Sequence, residues 1–547
     1  MSVTEERLPP AFPEAFNLAE YFLDRRIAEG RGGRIAVIDE RGEYSYSQVA
    51  DLAEAVAGTL WQAGIRPEDR CLIGMWDCVE FAASFFGIVK AGAVVAMVNP
   101  ELADGDYLGY LSYTRCRALL VDAALYLRLV PHLGAAGSAI DCLRVIVVVD
   151  TTGTSVPLPS PPPGIELLTW DDVCEGPRRP TYPTSKDDPA VWLFTSGSTG
   201  KPKAAVHFHH DFAYNTECYA KQILDIAETD ITLSVPKLYF GYATGTNLLF
   251  PFAVGAKTVL YRDRWSPERL FELIERHHAT VLTGVPTAMS RMLEADPQHR
   301  RSLGSLRIVL SAGEALPEEL YRRFVGAYGV EILDGIGSAE LFHIYISNRL
   351  GEVRPGSLGR LVPGYSARVV RDDGSDWGRD AEVGEIGTLW VRGDSAALCY
   401  WQAHESSKKT LRGDWVVSGD LFHRDAEGYF YYDGRADDLL KLGGIFVSPL
   451  EVEGVLLQHE AVVEVAVVGE ENAEGLVKGL AFVVVRSGHQ ATAELAQSLV
   501  AFGKSRLAHY KVPQRIEFVT ALPRSDRGKV LRRVLRKSPA GGTGPAS

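Results

Sequence analysis

The segment Thr195–Lys203, TSGSTGKPK, places glycines, hydroxyl side chains and two lysines between apolar runs. Glycines let backbone amides approach phosphate oxygens, while hydroxyls add hydrogen-bond donors and lysines add positive charge. The spacing differs from the P-loop pattern GxxxxGK[ST], and an apolar strand pattern rather than a helix follows Pro202. We therefore predict a phosphate-binding loop between two strands, with a flexible surface hairpin as the alternative.

Two short strands must position this loop, AVWLF before it and AAVHF after it. Upstream, helical patterns such as YSQVADLAEAVAGTLWQAG alternate with strand patterns such as RCLIGMW and VVAMVNP. This alternation predicts α/β layers around a largely parallel sheet, and we expect it to continue to about Leu398. After Gly434 the pattern changes to a compact αβ unit. We predict an α/β fold with a large N-terminal domain of layered α/β subdomains, residues 1–437, and a small mobile α+β domain, residues 438–547, with a disordered tail.

Composition argues against several functions. The net charge of −13 disfavours extended nucleic-acid binding, which needs a basic surface. No apolar run approaches the roughly 18 residues of a membrane-spanning helix, and the first residues do not resemble a signal peptide. The seven cysteines are scattered without CxxC spacing, as in a reduced cytosolic protein. We expect a cytoplasmic protein that binds neither nucleic acid nor a membrane; whether it is a monomer or a homodimer stays open.

Further motifs follow the loop, namely SAGEAL at 311–316, DGIGSAE at 334–340, SGD at 418–420, GRADDLLKLGG at 434–444 and RGK at 527–529. In type and order these motifs resemble those of the adenylate-forming superfamily, which includes acyl-CoA synthetases, luciferases and peptide-synthetase adenylation domains. The resemblance covers nearly the whole chain. Two longer segments, PKLYFGYATGTNLLFPFAVGA and ILDGIGSAELFHIYISNRLGEVRPGSLGRLVPGY, are most similar to benzoate-CoA ligases and their 2-aminobenzoate relatives.

The resemblance implies a two-step reaction that uses ATP, Mg²⁺ and coenzyme A. The carboxylate of a small aromatic acid attacks the α-phosphate of ATP, which gives an acyl-adenylate and pyrophosphate. The thiol of coenzyme A then displaces AMP. In such phosphate chemistry the protein mainly positions the reactants and neutralises charge.

The resemblance also assigns the nucleotide site. Glu340 is expected to bind magnesium, because a hard carboxylate suits a metal that also binds phosphate oxygens; in isolation it would be an ordinary helix glutamate. Asp420 and Arg435 are expected at the ribose. The β and γ phosphates are assigned to Thr195, Ser196, Gly197, Ser198, Thr199, Gly200 and Lys201. The adenine is assigned to Gly313, Glu314, Ala315, Asp334, Gly335 and Ile336.

Two positions depart from the family. Many members have an aromatic residue where Ile336 stands, so here an aliphatic side chain must contact the adenine. Many also have a threonine at Ala339, where its hydroxyl approaches the α-phosphate, and alanine removes that donor. The missing hydroxyl weakens any role for Ala339 and leaves Glu340 as the stronger assignment.

The small domain is implied to act in both steps. Lys529 bridges the carboxylate and the α-phosphate during adenylation, which suits an ammonium group on a flexible stem. The domain then rotates about a hinge at Asp437, which in isolation would be an ordinary turn residue. This rotation brings Lys441, Gly443 and Gly444 to the active site for thioester formation.

The resemblance places the aromatic acid among Tyr239, Phe240, Gly241, Tyr242, Ala312, Gly337, His343 and Ile344. Phe240 is implied to lie beside the reacting carboxylate. A flat apolar slot with small residues at its walls favours a benzoate-sized ring over a long flexible tail. His343 either contacts an amino or hydroxyl substituent of the ring or is simply packed. Benzoate and 2-aminobenzoate (anthranilate) are the leading candidates, with hydroxybenzoates behind them.

Two other functions share these motifs. An aryl-adenylating enzyme that loads the phosphopantetheine of an acyl carrier protein uses the same pantetheine arm, so the motifs do not separate it from a CoA ligase. A non-catalytic protein that binds a nucleotide or an aryl acid is disfavoured because the chain retains Lys201, Glu340, Asp420, Arg435 and Lys529.

Overall fold

An eight-stranded sheet contains the strands on both sides of the predicted phosphate loop. This computed structural model describes residues 10–151, 157–196, 202–435, 440–442, 445–471, 477–486, 488–524 and 530–536. The strands of the sheet, in spatial order, are Cys399–Tyr400, Pro202–Phe208, Pro189–Ser196, Val94–Met97, Arg70–Gly74, Ala118–Asp122, Val145–Val149 and Glu166–Thr169. The last six pair in parallel. The apolar runs of four inner strands are buried on both faces, as parallel sheets require: Val94–Met97, Arg70–Gly74, Ala118–Asp122 and Val145–Val149.

The loop prediction is confirmed at its two flanks. Pro189–Ser196 pairs antiparallel with Pro202–Phe208, and Thr195 lies opposite Lys203. Residues 197–201, which complete the predicted loop, lie outside the described residues. The two strands therefore hold the ends of the loop side by side.

A nine-stranded sheet forms the second layer of the large domain. Its strands, in spatial order, are Arg360–Leu361, Ile344–Ser347, Ile332–Gly337, Ile308–Ser311, Val281–Gly284, Ile231–Ser234, Lys257–Val259, Ile35–Asp39 and Gly42–Ser45. The central pairs are parallel and the outer ones antiparallel. The largely parallel character predicted from the alternation is thus confirmed in both sheets.

Helices cover these sheets. Tyr46–Gln62 begins with a capping box between Ser45 and Gln48, and it packs its apolar face on Val79–Lys90. In the part of the chain that the structure describes, every helix is too short or too polar to cross a bilayer. The other α-helices of the large domain are Arg25–Ala28, Asp104–Thr114, Ala123–Leu133, Trp170–Glu175, His209–Asn215, Gly241–Thr244, Phe250–Val254, Pro267–His277, Pro286–Ala295, Glu318–Tyr328 and His404–Thr410.

The expected α/β alternation up to about Leu398 is wrong in its last part. After Ile332–Gly337 the chain forms strands joined by turns, several of which contain a glycine at positive φ, such as Gly364 and Gly384. These strands build an antiparallel sheet whose members, in order, are Arg379–Asp380, Ser366–Arg371, Gly387–Arg392, Trp415–Arg424 and Leu411–Arg412, with Phe430–Arg435 also paired to Trp415–Arg424.

The small domain contains a three-stranded sheet with its own apolar core. Its strands are Val462–Glu471, Val477–Val485 and Arg515–Phe518, and its helices are Pro449–Leu456, Ala493–Lys504 and Arg532–Leu535. A two-stranded pair, Leu440–Leu442 with Ile445–Val447, precedes it. The predicted α/β class with a large and a small domain is confirmed. The exact boundary at 437/438 lies outside the described residues and stays a prediction.

Candidate active site

A cavity of about 940 Å³ lies where strands of both large sheets end. From the nine-stranded sheet, residues that directly follow Ile308–Ser311 and Ile231–Ser234 line it. From the eight-stranded sheet, the end of Pro189–Ser196 contributes Leu193, Phe194 and Thr195. Clefts at the carboxyl ends of parallel strands are the usual ligand sites of open α/β sheets. The cavity is therefore the candidate active site.

One polar side of this cavity is built around Glu340. Glu340 lies on the 3₁₀ turn Ala339–Leu341, and its carboxylate accepts a hydrogen bond from the hydroxyl of Tyr400. The ammonium of Lys203 lies 5.3 Å from the centre of the Tyr400 ring. Thr195, Lys203, Glu340 and Tyr400 all line the cavity. A hard carboxylate oxygen beside hydroxyl and ammonium groups fits a Mg²⁺ ion shared with phosphates.

A buried histidine supports this turn from behind. His207 contacts the carbonyl of Ala339 through Nε2 at 2.6 Å and the carboxylate of Asp211 through Nδ1 at 2.7 Å. Both side chains are fully buried, and burial raises the pKa of Asp211. Since a carbonyl only accepts, Nε2 carries a proton. His207 thereby connects Asp211 to the residue that precedes Glu340, a role that the sequence did not indicate.

The turn also depends on an unusual backbone. Phe342 has a φ of 66°, which is rare for a bulky side chain, and its ring packs on Phe212 at 4.3 Å between centroids. This conformation follows directly after Leu341 and precedes His343. Glu340 and His343, on either side of Leu341 and Phe342, both line the cavity.

The residues expected at the ribose lie together. Asp420 on Trp415–Arg424 is the cross-strand partner of Arg435 on Phe430–Arg435. The Nη1 of Arg435 lies 3.5 Å from Oδ1 of Asp420, and both residues line the cavity. The antiparallel pairing therefore brings the two side chains together at the cavity, and their role at the ribose stays a prediction.

The residues expected at the adenine divide into two groups. Gly313, with a φ of 86°, and Glu314 line the cavity. Glu314 accepts a hydrogen bond from Thr287 at 2.7 Å and pairs with Arg524 of the small domain at 3.3 Å, and burial raises its pKa. The remaining members lie outside the described cavity wall: Ala315, Asp334, Gly335 and Ile336.

The residues expected around the aryl acid all line the cavity: Tyr239, Phe240, Gly241, Tyr242, Ala312, Gly337, His343 and Ile344. Gly337 is tightly enclosed, because a Cβ there would lie 2.5 Å from the carbonyl oxygen of His343. At Gly241 the nearest neighbour of a Cβ would be the Leu193 side chain, 3.3 Å away. Larger residues at either position would disturb or narrow this part of the cavity.

The protonation of His343 follows from its contacts. Its Nε2 lies 3.0 Å from the carbonyl of Tyr242, and since a carbonyl only accepts, Nε2 carries the hydrogen. Burial lowers the pKa of His343 to about 3, so the ring is neutral. Nδ1 therefore holds a lone pair. Among the described residues neither this Nδ1 nor the Tyr242 hydroxyl has a hydrogen-bond partner.

Nine of the predicted site residues lie outside the described residues: Gly197, Ser198, Thr199, Gly200, Lys201, Asp437, Gly443, Gly444 and Lys529. The backbones of Ser196 and Lys441 are described, in the strands Pro189–Ser196 and Leu440–Leu442. Arg524, which precedes the segment with Lys529, lines the cavity.

Two family models match the chain. The model described as AMP-binding enzyme matches residues 24–401, and the one described as AMP-binding enzyme C-terminal domain matches residues 451–529. A benzoate–CoA ligase of Thauera aromatica is 39% identical over 533 residues, which are 97% of this chain and 98% of that protein.

Solved structures agree with these matches. The anthranilate CoA ligase AuaEII in complex with anthranoyl-AMP has a TM-score of 0.88 at 34% identity, over 96% of this chain and 97% of that one. A benzoate CoA ligase from Burkholderia xenovorans LB400 has a TM-score of 0.85 at 38% identity, over 95% of this chain and 100% of that one.

Proposed function

The chain belongs to the family of AMP-binding enzymes, as its motifs predict, and we propose that it is an aryl-CoA ligase that uses ATP, Mg²⁺ and coenzyme A. It activates a benzoate-type acid as the acyl-adenylate with release of pyrophosphate. It then joins the acyl group to the thiol of coenzyme A with release of AMP. The relatives named benzoate–CoA and anthranilate–CoA ligase support this reaction.

One observation carries the proposal: a single cavity combines a phosphate-binding group of residues with an aromatic slot. Thr195, Lys203 and Glu340 supply the polar part. Tyr242 and the enclosed Gly337 belong to the apolar part. An acid whose ring occupies the slot can therefore present its carboxylate to a nucleotide phosphate in the same cavity.

The free lone pair of His343 favours a ring that carries a hydrogen-bond donor. A buried acceptor without a partner costs about 1–3 kcal/mol, and an amino or hydroxyl group on the ring supplies the missing hydrogen. The Tyr242 hydroxyl is the second unpartnered polar atom in this wall; like Nδ1 it is enclosed by protein, so a ring substituent reaches either atom only after a side-chain shift. Anthranilate is therefore our first candidate, ahead of hydroxybenzoates and of unsubstituted benzoate.

The residues divide the work of the first step. Glu340, oriented by Tyr400, holds the metal, which when bound neutralises phosphate charge. Asp420 and Arg435 fix the ribose, and Lys529 stabilises the charge that develops between carboxylate and α-phosphate. Rotation of the small domain at Asp437 then replaces Lys529 by the segment with Lys441, Gly443 and Gly444.

The test is carboxylate-dependent ATP–pyrophosphate exchange over a panel of acids, followed by product analysis with and without coenzyme A. The panel contains benzoate, anthranilate, hydroxybenzoates and medium-chain acids. We expect exchange with aryl acids, highest kcat/KM for anthranilate, and a thioester only with coenzyme A. Adenylate formation without transfer to free coenzyme A would instead indicate a carrier protein as acceptor. Absence of exchange with every aryl acid would refute the proposal.

A further inference from the structure

A buried lysine and a buried aspartate lie beside the segment that carries Tyr239 and Phe240. Lys237 is 5% exposed and lines the cavity, and Asp77 is 1% exposed. Burial of a charged group costs several kcal/mol unless its surroundings compensate it. The reaction steps described above use neither group. Perturbed charges in a cleft are frequently functional.

Lys237 belongs to this segment and anchors it to Tyr261, whereas Asp77 binds the segment at Leu238. The Nζ of Lys237 donates a hydrogen bond to the carbonyl of Tyr261 at 2.6 Å. The Oδ1 of Asp77 accepts one from the backbone N–H of Leu238 at 2.9 Å. The carbonyl of Leu238 in turn accepts from the Thr244 hydroxyl at 2.7 Å. The backbone just before Tyr239 and Phe240 is therefore held from three sides.

These anchors come from both layers of the large domain. Asp77 follows the strand Arg70–Gly74 of the eight-stranded sheet, and Tyr261 follows Lys257–Val259 of the nine-stranded sheet. The cavity is itself lined by residues of both sheets. The segment with Tyr239 and Phe240 is thus hydrogen-bonded to residues of both layers that line the cavity.

The two charges depend on each other. Burial lowers the pKa of Lys237 to about 8, against the raising effects of Asp77, Asp263 and Glu40, while Arg269 lowers it further. Burial raises the pKa of Asp77 to about 6, and the charge of Lys237 opposes this rise. Both groups are therefore charged between about pH 6 and pH 8.

We propose that Lys237 and Asp77 are a pair of positioning residues that holds Tyr239 and Phe240 in register with the carboxylate of the aryl acid. This inference rests on the proposed function. The pair should act mainly on the acid, because the segment it holds carries Tyr239 and Phe240. The residues expected at the nucleotide lie on other segments, among them Gly313, Glu314, Asp420 and Arg435. Loss of either charge relaxes the segment and weakens productive binding of the acid.

The test compares KM for anthranilate with KM for ATP in pyrophosphate exchange by the full-length protein. The variants are Lys237→Met and Asp77→Asn; the second keeps an oxygen that accepts from Leu238. We expect KM for the acid to rise roughly tenfold or more, as misplacement of a reactant does, with KM for ATP within about twofold of the wild type. The matched control is Lys90→Met, which breaks a buried ion pair with Asp24 (2.6 Å) away from the cavity. It should lower the unfolding temperature and leave both KM values unchanged.

A pH profile separates positioning from a merely structural role. In the wild type, KM for the acid should rise above about pH 8 as Lys237 loses its proton. In Asp77→Asn this alkaline limb should move to lower pH, because a stabilising negative charge is gone. An unmoved limb, or equal increases in both KM values, would overturn the inference. If Lys237→Met does not fold, Asp77→Asn and the wild-type profile still decide. If the wild type does not catalyse exchange, the proposed function is refuted as well. If the wild type is active but the ratio of KM for the acid to KM for ATP is the same in both variants as in the wild type, only the positioning role is refuted.

Discussion

The hydroxyl of Tyr400 donates a hydrogen bond to the carboxylate of Glu340, across 60 positions of sequence. Tyr400 reaches this place because Cys399–Tyr400 pairs antiparallel with Pro202–Phe208, the strand that follows the phosphate loop. One short strand thus connects the predicted phosphate loop with the expected magnesium ligand. The Tyr400 hydroxyl thereby helps to orient the Glu340 carboxylate.

Tyr400→Phe removes this hydrogen bond and keeps the ring. A hydrogen bond to a charged group contributes about 1.5–3 kcal/mol, so the Mg²⁺ concentration for half-maximal exchange should rise roughly tenfold or more. Calorimetric affinity for Mn²⁺–ATP should fall in parallel, which gives a reading independent of turnover. Tyr126→Phe, which removes a hydroxyl bonded to the carbonyl of Pro159 outside the cavity, is the control. An unchanged metal requirement would show that Tyr400 does not orient Glu340.

His343→Phe keeps an aromatic ring and removes the acceptor lone pair. The ratio of kcat/KM for anthranilate over benzoate should fall about three- to tenfold, since a neutral hydrogen bond contributes about 0.5–1.5 kcal/mol. Steady-state kinetics with the two acids measure this ratio directly. A general loss of activity would lower kcat/KM for both acids equally and would leave the ratio unchanged. A ratio equal to that of the wild type would mean that Nδ1 does not contact the ring substituent.

Asp334 should make the stability of the unliganded protein fall as pH rises. Burial raises its pKa from 3.8 to about 8. Below about pH 4 the carboxyl is protonated in both states; between pH 4 and 8 only the unfolded chain ionises, which favours unfolding by up to a few kcal/mol. Asp334→Asn removes this dependence. The unfolding temperature of the variant minus that of the wild type should therefore increase from pH 4 to pH 8. A difference that stays constant over this range would contradict a buried neutral carboxyl.

Lys529→Ala should separate the two half-reactions. Adenylation loses the cation that bridges carboxylate and α-phosphate, so pyrophosphate exchange should fall by at least about a hundredfold. Conversion of supplied aryl-adenylate and coenzyme A to the thioester should remain near the wild-type rate. Single-turnover assays of each half-reaction give the comparison. Equal loss in both would contradict a role confined to adenylation.

Local patterns were sufficient for much of the fold. The strands around the phosphate loop and the parallel pairs of both sheets follow from apolar runs and their alternation with helices. The aryl-site residues were assigned through the family motifs, and all of them line one cavity. Motifs preserve such positions because the chemistry fixes both residue type and spacing.

Contacts between distant residues could not be predicted. The partners of Glu340 and Lys237, namely Tyr400 and the carbonyl of Tyr261, depend on strand pairing and on loop geometry that no local pattern encodes. The antiparallel sheet that includes Ser366–Arg371 and Trp415–Arg424 was also missed, because burial along these two strands does not alternate regularly. The positive φ of Phe342 could not be predicted either, because a bulky residue rarely adopts it and the ring's partner, Phe212, is distant in sequence.

The proposed reaction joins an aryl acid to coenzyme A through an adenylate. The most direct test is to incubate it with anthranilate, ATP, Mg²⁺ and coenzyme A and to quantify all products by mass spectrometry. We expect anthraniloyl-CoA, AMP and pyrophosphate in equal amounts, and anthraniloyl-AMP with pyrophosphate when coenzyme A is left out. ADP and phosphate as products, or no product with any aryl acid of the panel, would contradict it.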